Sequence, residues 1–374
     1  MPPRISTPTA APRRGSEARR RLLLALAGTS VLQALPVARA QETPRPATAL
    51  AFPRDFGSHP EFGTEWWYIT GYASNAQGAF GFQLTFFRSR VQATQSLRSA
   101  FAARQLIFAH AAVTDLQARR QSHDQRIARA GMGVASASEG DTDVQLRDWR
   151  LNRDPASGRY AARLPAEGFA LALDFAPTQP PLLQGEAGHS RKGPQPQAFS
   201  NYYSEPQLAA SGRLQIDGRE FAVQGRAWLD HEWSDGYLPP GAVGWDWIGM
   251  NLDDGSALMA FVMRDRGGAA LWAGGSFRSA AGQRRAFGPD EVRFEPVRRW
   301  QSPATQAQYP VEWSVLTPAG RFAVRALLDD QELDSRGSTG TVYWEGLCDL
   351  LDAQGRRVGR GYLEMTGYVQ ALRM

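Results

Sequence analysis

Short runs of alternating apolar and polar residues recur along almost the whole chain, rich in Val, Phe, Tyr and Trp and broken by Gly, Asp and Asn. Period-two patterning of this kind is what a half-buried β-strand imposes, because successive side chains point to opposite faces of a sheet. Turn chemistry falls between the runs. Residues 71–78, Asp253-Asp254-Gly255 and Asp352-Ala353-Gln354-Gly355 each read as hairpin turns. Asp217-Gly218, between Leu214-Gln215-Ile216 and Arg219-Glu220-Phe221, is the dipeptide that two-residue hairpins favour. Helical spacing is scarce: only residues 96–103 suggest one short helix. Residues 177–198, rich in Pro, Gly and Gln, read as a loop. The expected fold class is all-β.

The pattern also repeats. Trp66-Trp67-Tyr68-Ile69 opens a hairpin that runs through Gly78 to Phe86-Phe87-Arg88, and Trp245-Asp246-Trp247-Ile248 opens another that runs through Gly255 to Val262-Met263-Arg264. Each is an aromatic strand, a turn, an apolar strand and an arginine, and the copies stand about 180 residues apart. Thr70-Gly71-Tyr72 and Thr366-Gly367-Tyr368 echo one another as well. Two copies of one β unit are expected, over residues 51–238 and 239–374, with Pro239-Pro240-Gly241 at the joint. Units of this length suit antiparallel barrels with an internal cavity. A single irregular sandwich is the other architecture the pattern allows.

The N-terminus changes how the charge is read. Arg4, Arg13, Arg14, Arg19, Arg20 and Arg21 precede an apolar run from Leu22 to Leu35, and Ala38-Arg39-Ala40 follows. A basic region, a short apolar region and a small-x-small end make a secretory signal over residues 1–40. Arg19-Arg20-Arg21-Leu22-Leu23 fits a twin-arginine signal as well as a general secretory one. The expected location is the periplasm, with residues 41–50 a linker. The apolar run is shorter than the roughly 20 residues a bilayer span needs, and no later run reaches that length. The whole chain carries +5, but residues 1–40 hold seven arginines against one glutamate, so the remainder is near −1. Nucleic acid is thereby excluded as a partner, since such binding rests on clustered positive charge. The single cysteine, Cys348, forbids an internal disulfide and lies in an alternating run, as a small buried hydrophobe would.

Familiar catalytic signatures are missing. There is no G-x-S-x-G elbow, no P-loop and no G-x-G-x-x-G. His231-Glu232-Trp233-Ser234-Asp235 only approaches H-E-x-x-H and lies in a strand pattern, so neither a metal nor an organic cofactor is expected. What stands out is an aromatic and polar cluster: Asp230-His231-Glu232-Trp233, then Trp245-Asp246-Trp247. Alternation puts Trp245 and Trp247 on one strand face and Asp246 on the other, and His231 with Trp233 on a shared face. Glu65, followed by Trp66-Trp67-Tyr68, reads either as a buried acid with a raised pKa or as a strand-end charge. Tyr202 and Tyr203, within Phe199-Ser200-Asn201-Tyr202-Tyr203-Ser204, offer hydroxyls to a pocket or to a loop. Glu345 and Glu364 sit on late strands, and His110 sits in an apolar strand, as a satisfied core histidine does.

Glu65-Trp66-Trp67-Tyr68-Ile69-Thr70-Gly71, Asp230-His231-Glu232-Trp233, Gly244-Trp245-Asp246-Trp247 and Tyr343-Trp344-Glu345-Gly346 together resemble the carotenoid 1,2-hydratase (CrtC) and AttH group. The resemblance covers residues 50–374. It implies two lipocalin-like β-barrels. Members of the group add water to an isoprenoid double bond or shape a cyclisation; AttH-type members are encoded beside ABC-transporter components and are labelled secreted hydrolases. On that resemblance His231 and Trp233 match a His-x-Trp element, and Asp246 is taken as the acid and His231 as the base. Trp233, Trp245, Trp247, Glu65, Trp67, Tyr68, Tyr202 and Tyr203 are taken as ligand contacts. The expectation is a protein that holds a lipid or isoprenoid and hydrates a carbon–carbon double bond; a non-catalytic partner of an ABC permease and a secreted hydrolase of lipid-like substrates are the rival readings.

Overall fold

In the computed structural model, which describes residues 49–372, Asp217 and Gly218 make the expected tight turn: Ile216 faces Arg219, and both turn residues have positive φ (50° and 77°). The turns at Asp253–Gly255 and Asp352–Gly355 also separate paired strands. The segment expected to be a signal, residues 1–40, and most of the expected linker, 41–50, lie outside the described residues.

The first sheet contains β1 (Thr64–Asn75), β2 (Gly78–Arg90), β3 (Gln105–Asp115), β4 (Arg120–Arg129), β5 (Ala135–Ala137), β6 (Asp143–Leu146), β7 (Trp149–Arg153), β8 (Tyr160–Pro165), β9 (Phe169–Ala176), β10 (Leu182–Leu183), β11 (His189–Arg191), β12 (Phe199–Ile216) and β13 (Arg219–Gly236). Its order is β4-β3-β2-β1-β13-β12-β9-β8-β7-β6-β5, with β10 and β11 paired to β12. The second sheet contains β14 (Gly244–Leu252), β15 (Ala257–Arg264), β16 (Ala270–Arg278), β17 (Arg284–Phe287), β18 (Arg293–Gln301), β19 (Gln308–Thr317), β20 (Gly320–Ala326), β21 (Glu332–Asp334), β22 (Val342–Leu351) and β23 (Arg357–Met365). It runs β17-β16-β15-β14-β23-β22-β20-β19-β18, with β21 on β22. Both sheets are antiparallel throughout, so β14–β17 repeat β1–β4, and β22 and β23 repeat β12 and β13.

Each sheet closes toward a barrel for the same reason. β4 and β5 stand at opposite ends of the first order yet are joined by residues 130–134 and bridged at Gly131–Ala135. β17 and β18 are likewise joined by residues 288–292. A connection that short brings the two edges together and removes the exposed edge that an open sheet would present. The fold is all-β, as the alternation required, and its two antiparallel units are lipocalin-like, as the family resemblance implied.

The inner faces form two separate cores. Trp67, Ile69, Phe82, Phe86, Trp149 and Leu229 belong to the first, and Ile248, Met250, Val315, Trp344 and Leu363 to the second. Cys348 is wholly buried in the second core. A third apolar cluster lies between the sheets, where Tyr68, Tyr202 and Trp228 meet Trp247, Met259, Phe261, Leu347 and Tyr362. Where they face the seam, the central strands of both sheets are therefore buried on both faces. Residues 177–198 strap the two sheets together: Arg278 donates to Pro180 O at 2.7 Å, Ser276 Oγ to Gln184 Oε1 at 2.6 Å and Trp272 Nε1 to Arg191 O at 3.0 Å.

The helix expected over residues 96–103 is absent. A three-residue 3-10 turn at Gln92–Thr94 stands nearby, and the segment is instead a loop closed by side chains, Thr94 Oγ1 donating to Ala103 O and Gln95 Nε2 to Arg104 O, both at 2.7 Å. Among the described residues no helix is long and apolar enough to cross a membrane.

Two glycines allow the central crossings. A Cβ on Gly225 of β13 would lie 1.9 Å from Tyr72 O, and one on Gly361 of β23 would lie 1.9 Å from Gly249 O. The clash is with backbone, which has nowhere to move. Gly225→Ala is expected to cost about 1–3 kcal/mol, read as a fall in the denaturant midpoint with an unchanged slope.

Candidate functional site

The structure distributes the expected site residues over three environments: the interior of the first barrel, the interior of the second, and the seam between them.

In the first barrel, the inward face of β1 and its neighbours on β2, β13 and β12 bring together Glu65, Trp67, Arg88, His231, Trp233 and Tyr203. Glu65 has no exposed surface. It accepts from Arg88 Nε at 2.7 Å, His59 Nδ1 at 2.8 Å, His231 Nε2 at 2.9 Å, the His59 backbone N–H at 2.9 Å and Ser58 Oγ at 3.0 Å. Burial alone would raise its pKa; the hydrogen bonds from His231 and His59 and the charge of Arg88 outweigh that and hold the carboxyl well below the usual carboxylate range. Glu65 is thus neither an acid with a raised pKa nor a strand-end charge, but a buried anion.

The same contacts fix both imidazoles. Burial pushes His231 below its ordinary value despite Glu65, so it is neutral, donating from Nε2 and leaving Nδ1 to the Tyr203 hydroxyl at 3.2 Å. His59 also loses from burial, but hydrogen bonds to Asp55 and Glu65 raise it, and its two ring nitrogens face those carboxylates at 3.2 and 2.8 Å. Stacking completes the plug: His59 lies 3.7 Å from Trp233 at 6°, and Trp67 lies 4.6 Å from His231. His59, Glu65 and His231 have ligand atoms close enough to share a metal ion. Five donors already fill the carboxylate's lone pairs, one of them a guanidinium, so the geometry is that of an ion-pair clamp.

Asp246 lies in the other barrel. It faces inward on β14, 1% exposed, with Arg264 Nε 2.7 Å from Oδ2 and the Tyr368 hydroxyl donating to Oδ1 at 2.9 Å. Burial raises its pKa to about 6 against the pull of Arg264 and Tyr368. The expected pairing of Asp246 with His231 is therefore corrected: each is committed to partners inside its own barrel. Alternation assigned both to the right strand faces but does not say that the two inner faces enclose different interiors.

Tyr68, Tyr202, Trp245 and Trp247 sit in or beside the seam. Register builds it. On the outer face of the first sheet Tyr68, Asp230 and Ser204 form one row, and Trp66, Glu232 and Tyr202 the next. Opposite them Phe261, Trp247, Glu364 and Glu345 form a row on the second sheet. Asp230 accepts from Ser204 Oγ at 2.5 Å and Trp228 Nε1 at 2.7 Å. Glu232 accepts from Ser200 Oγ and from Lys192 Nζ, the latter at 2.9 Å. Glu364 accepts from Trp245 Nε1 at 3.1 Å. Half-buried Trp66 and Trp245 flank Tyr237, with ring centroids 5.0 and 5.7 Å from it, at the end of the seam that reaches solvent.

Asp230, Glu345 and Glu364 are held toward the neutral form. Burial, with the charge of Glu232 nearby, raises Asp230 to about 7 although three hydrogen bonds oppose it. Burial and the charges of Asp230 and Glu232 raise Glu364 to about 7. Burial and Glu364 push Glu345 up as well. Glu345 Oε1, Tyr68 Oη and Gln83 Oε1 are buried without a well-formed hydrogen bond, and such orphaned groups are rare where nothing is meant to meet them. His110, 2% exposed, also touches this seam, bonded to the Tyr343 hydroxyl and Ser338 Oγ, both at 2.8 Å. Asp230, Glu232, Glu345 and Glu364 were visible in the sequence but had no assigned role. Lys192 was not seen at all, since it lies on the strap and its ion pair joins it to a strand 40 residues on.

The chain can now be set beside known proteins. A family profile described as AttH-like matches residues 43–368. Among curated proteins none matches. A solved AttH-type protein of Nitrosomonas europaea is similar at 48% identity, covering 87% of this chain and 99% of that one, with a TM-score of 0.81. Kievitone hydratase of Nectria haematococca shares the fold at 14% identity and a TM-score of 0.68, covering 85% and 93%. CghA does so at 12% and 0.52, covering 89% and 96%.

The Glu65 clamp generates a test. Removing one member of a buried charge cluster strands the others, so Glu65→Gln is expected to cost about 3–5 kcal/mol in chemical denaturation. Because the folded pKa is depressed, the wild-type contribution is complete above the ordinary carboxylate pKa of 4.5 and is lost as pH falls below it. The variant should therefore show a flatter stability profile on acidification. Equal stability of the two proteins at pH 7 would refute the clamp.

Proposed function

The chain belongs to the AttH-like family, and from that premise we propose that it binds an apolar, unsaturated small molecule of lipid or isoprenoid type in the seam between its barrels and adds water to a double bond. One observation carries this reading: Asp230 and Glu364, one from each barrel, are carboxyls with pKa values near 7 among indoles and phenols. Protonating an unactivated alkene needs an acid kept neutral in an apolar surrounding. Glu364 is the acid, because among the described residues it accepts from Trp245 alone, whereas Asp230 accepts from both Ser204 and Trp228, so the Glu364 proton is the freer of the two. It gives that proton to one alkene carbon. The cation at the other carbon is faced by Trp245 and Trp247, each indole worth roughly 1–2 kcal/mol when desolvated. Water adds there and its surplus proton passes to a seam carboxylate, Asp230 or Glu364 itself, so the net change is one water gained.

His231 is buried in the first barrel against Glu65 and Asp246 lies in the second beside Arg264, so in this reading the two do not act together as base and acid. Kievitone hydratase is by its name a hydratase; its kinship in fold supports the class of reaction brought to this chain. The signal pattern of residues 1–40 supports a periplasmic site of action.

The test is to incubate the protein with squalene and with geraniol and follow formation of the hydrated product by mass spectrometry. Turnover should fall as pH rises through about 7, as Glu364 loses its proton. Glu364→Gln should lower it by about 10²-fold or more. Stability supplies a second readout of opposite sign. The folded pKa of Glu364 lies above its ordinary 4.5, so stability from this group is greatest in acid and is lost as pH rises toward 7. At pH 8 Glu364→Gln should melt above the wild type. If it does, while neither probe is bound or hydrated by the wild type, the seam carboxyls only join the barrels and the proposal fails.

A further inference from the structure

The second barrel has a cavity of its own, about 640 Å³, at the end where β14 begins and β15 finishes. That is within the range of small-molecule sites, about 300–1,000 Å³. It is separate from the seam, because Asp246 enters it from the inner face of β14 whereas Trp245 and Trp247 leave from the outer face.

Its parts differ with depth. Asp246 and Arg264 are buried and paired as ions at 2.7 Å, so their charges offset one another on the floor. Val262, Val292, Phe294 and Trp313 supply an apolar wall. Trp313 is 4% exposed, and its indole N–H has no acceptor among the described residues. A buried donor left unmet beside a cavity points to a ligand that accepts from it. Arg266, Arg293 and Arg299 are exposed and also line the cavity; none forms a close ion pair with a carboxylate among the described residues, and the charge of Arg299 reaches Asp246 only at longer range. The remaining lining acid, Glu295, stands 3.6 Å from Arg321 outside the cavity. The result is an aromatic and aliphatic pocket with three exposed guanidinium groups in its lining, none in a close ion pair among the described residues.

We propose that this cavity binds an organic anion with an apolar body, its acidic group on Arg266, Arg293 and Arg299 and its body against Phe294 and Trp313. A carboxylate suits the planar donor fork of arginine, which bonds it through two parallel N–H groups. The site takes its ligand independently of the seam, so the two proposals stand or fall apart.

Isothermal titration of the full-length protein with decanoate, and with decanol as the uncharged control, tests this. Decanoate should bind with a stoichiometry of one, and decanol at least about tenfold more weakly. The double variant Arg266→Ala/Arg299→Ala changes only exposed side chains and should melt like the wild type while losing about tenfold or more in decanoate affinity. Trp313→Phe should remove the decanoate-induced change in indole fluorescence. Equal affinity for decanoate and decanol, unchanged decanoate binding by the double variant, or no heat with decanoate at all would each overturn the assignment.

Discussion

The strands at the centre of this molecule are buried on both faces, and that constraint governs what every polar side chain on them can do. β1, β13 and β12 turn one face into the first barrel and the other toward the second sheet; β14, β15, β23 and β22 do the same from their side. Along the stretches that face the seam, a side chain pointing outward meets the other sheet and not bulk water. A carboxyl placed there must find a cation, find several donors, or keep its proton, because an isolated buried charge costs far more than folding can offset. Three carboxyl environments show the three answers. Glu65 finds five donors including a guanidinium and stays ionised. Asp246 finds one guanidinium and one phenol and stands near 6. Asp230 and Glu364 have donors but no cation in contact, and stand near 7.

The functional reading follows from that series. A carboxyl whose lone pairs are filled holds structure: it joins β1, β2, β13 and the segment before β1 through Arg88, His231 and His59. A carboxyl kept neutral among indoles can give a proton away. Lys192 keeps the seam from being uniformly acidic, pairing with Glu232 while its ammonium lies 4.7 Å from the Tyr202 ring and 4.5 Å from the Phe261 ring. It neutralises Glu232, and the neighbouring acids are left without a cation of their own.

Period-two alternation made much of this legible. It placed Trp245 and Trp247 opposite Asp246, set His231 and Trp233 on one face, and located the Asp-Gly turn at residues 217–218. The failures share a cause. Alternation sorts side chains into two faces, but in a molecule with two interiors and a seam it does not say which of three environments a face meets. Asp246 and His231 both point inward, and inward means different places. The run Trp66-Trp67-Tyr68-Ile69 does carry the missing signal, since four consecutive apolar residues in a strand imply burial on both sides. The tie from residues 177–198 to β13 through Lys192 and Glu232 is non-local, and no local pattern records it.

The two barrels also show how one plan yields a closed interior and an open one. Pairing with the arginine of the second strand aligns Glu65 with Gly244, since Glu65 faces Arg88 and Gly244 faces Arg264. Trp67 then corresponds to Asp246. The second barrel cannot carry its acid at the first position: a Cβ on Gly244 would lie 2.3 Å from Thr366 O, where the end of β23 crosses. Moving the acid two residues along keeps it on the same face, because the side-chain period is two, and it still reaches an arginine. The move places a carboxyl where the first barrel has an indole, so that bulk is missing. Nor, among the described residues, does a histidine fill the second barrel as His59, with Phe56, packs against Trp233 and Tyr203 in the first. Asp246 instead lines a cavity, and the barrel is open where its twin is filled.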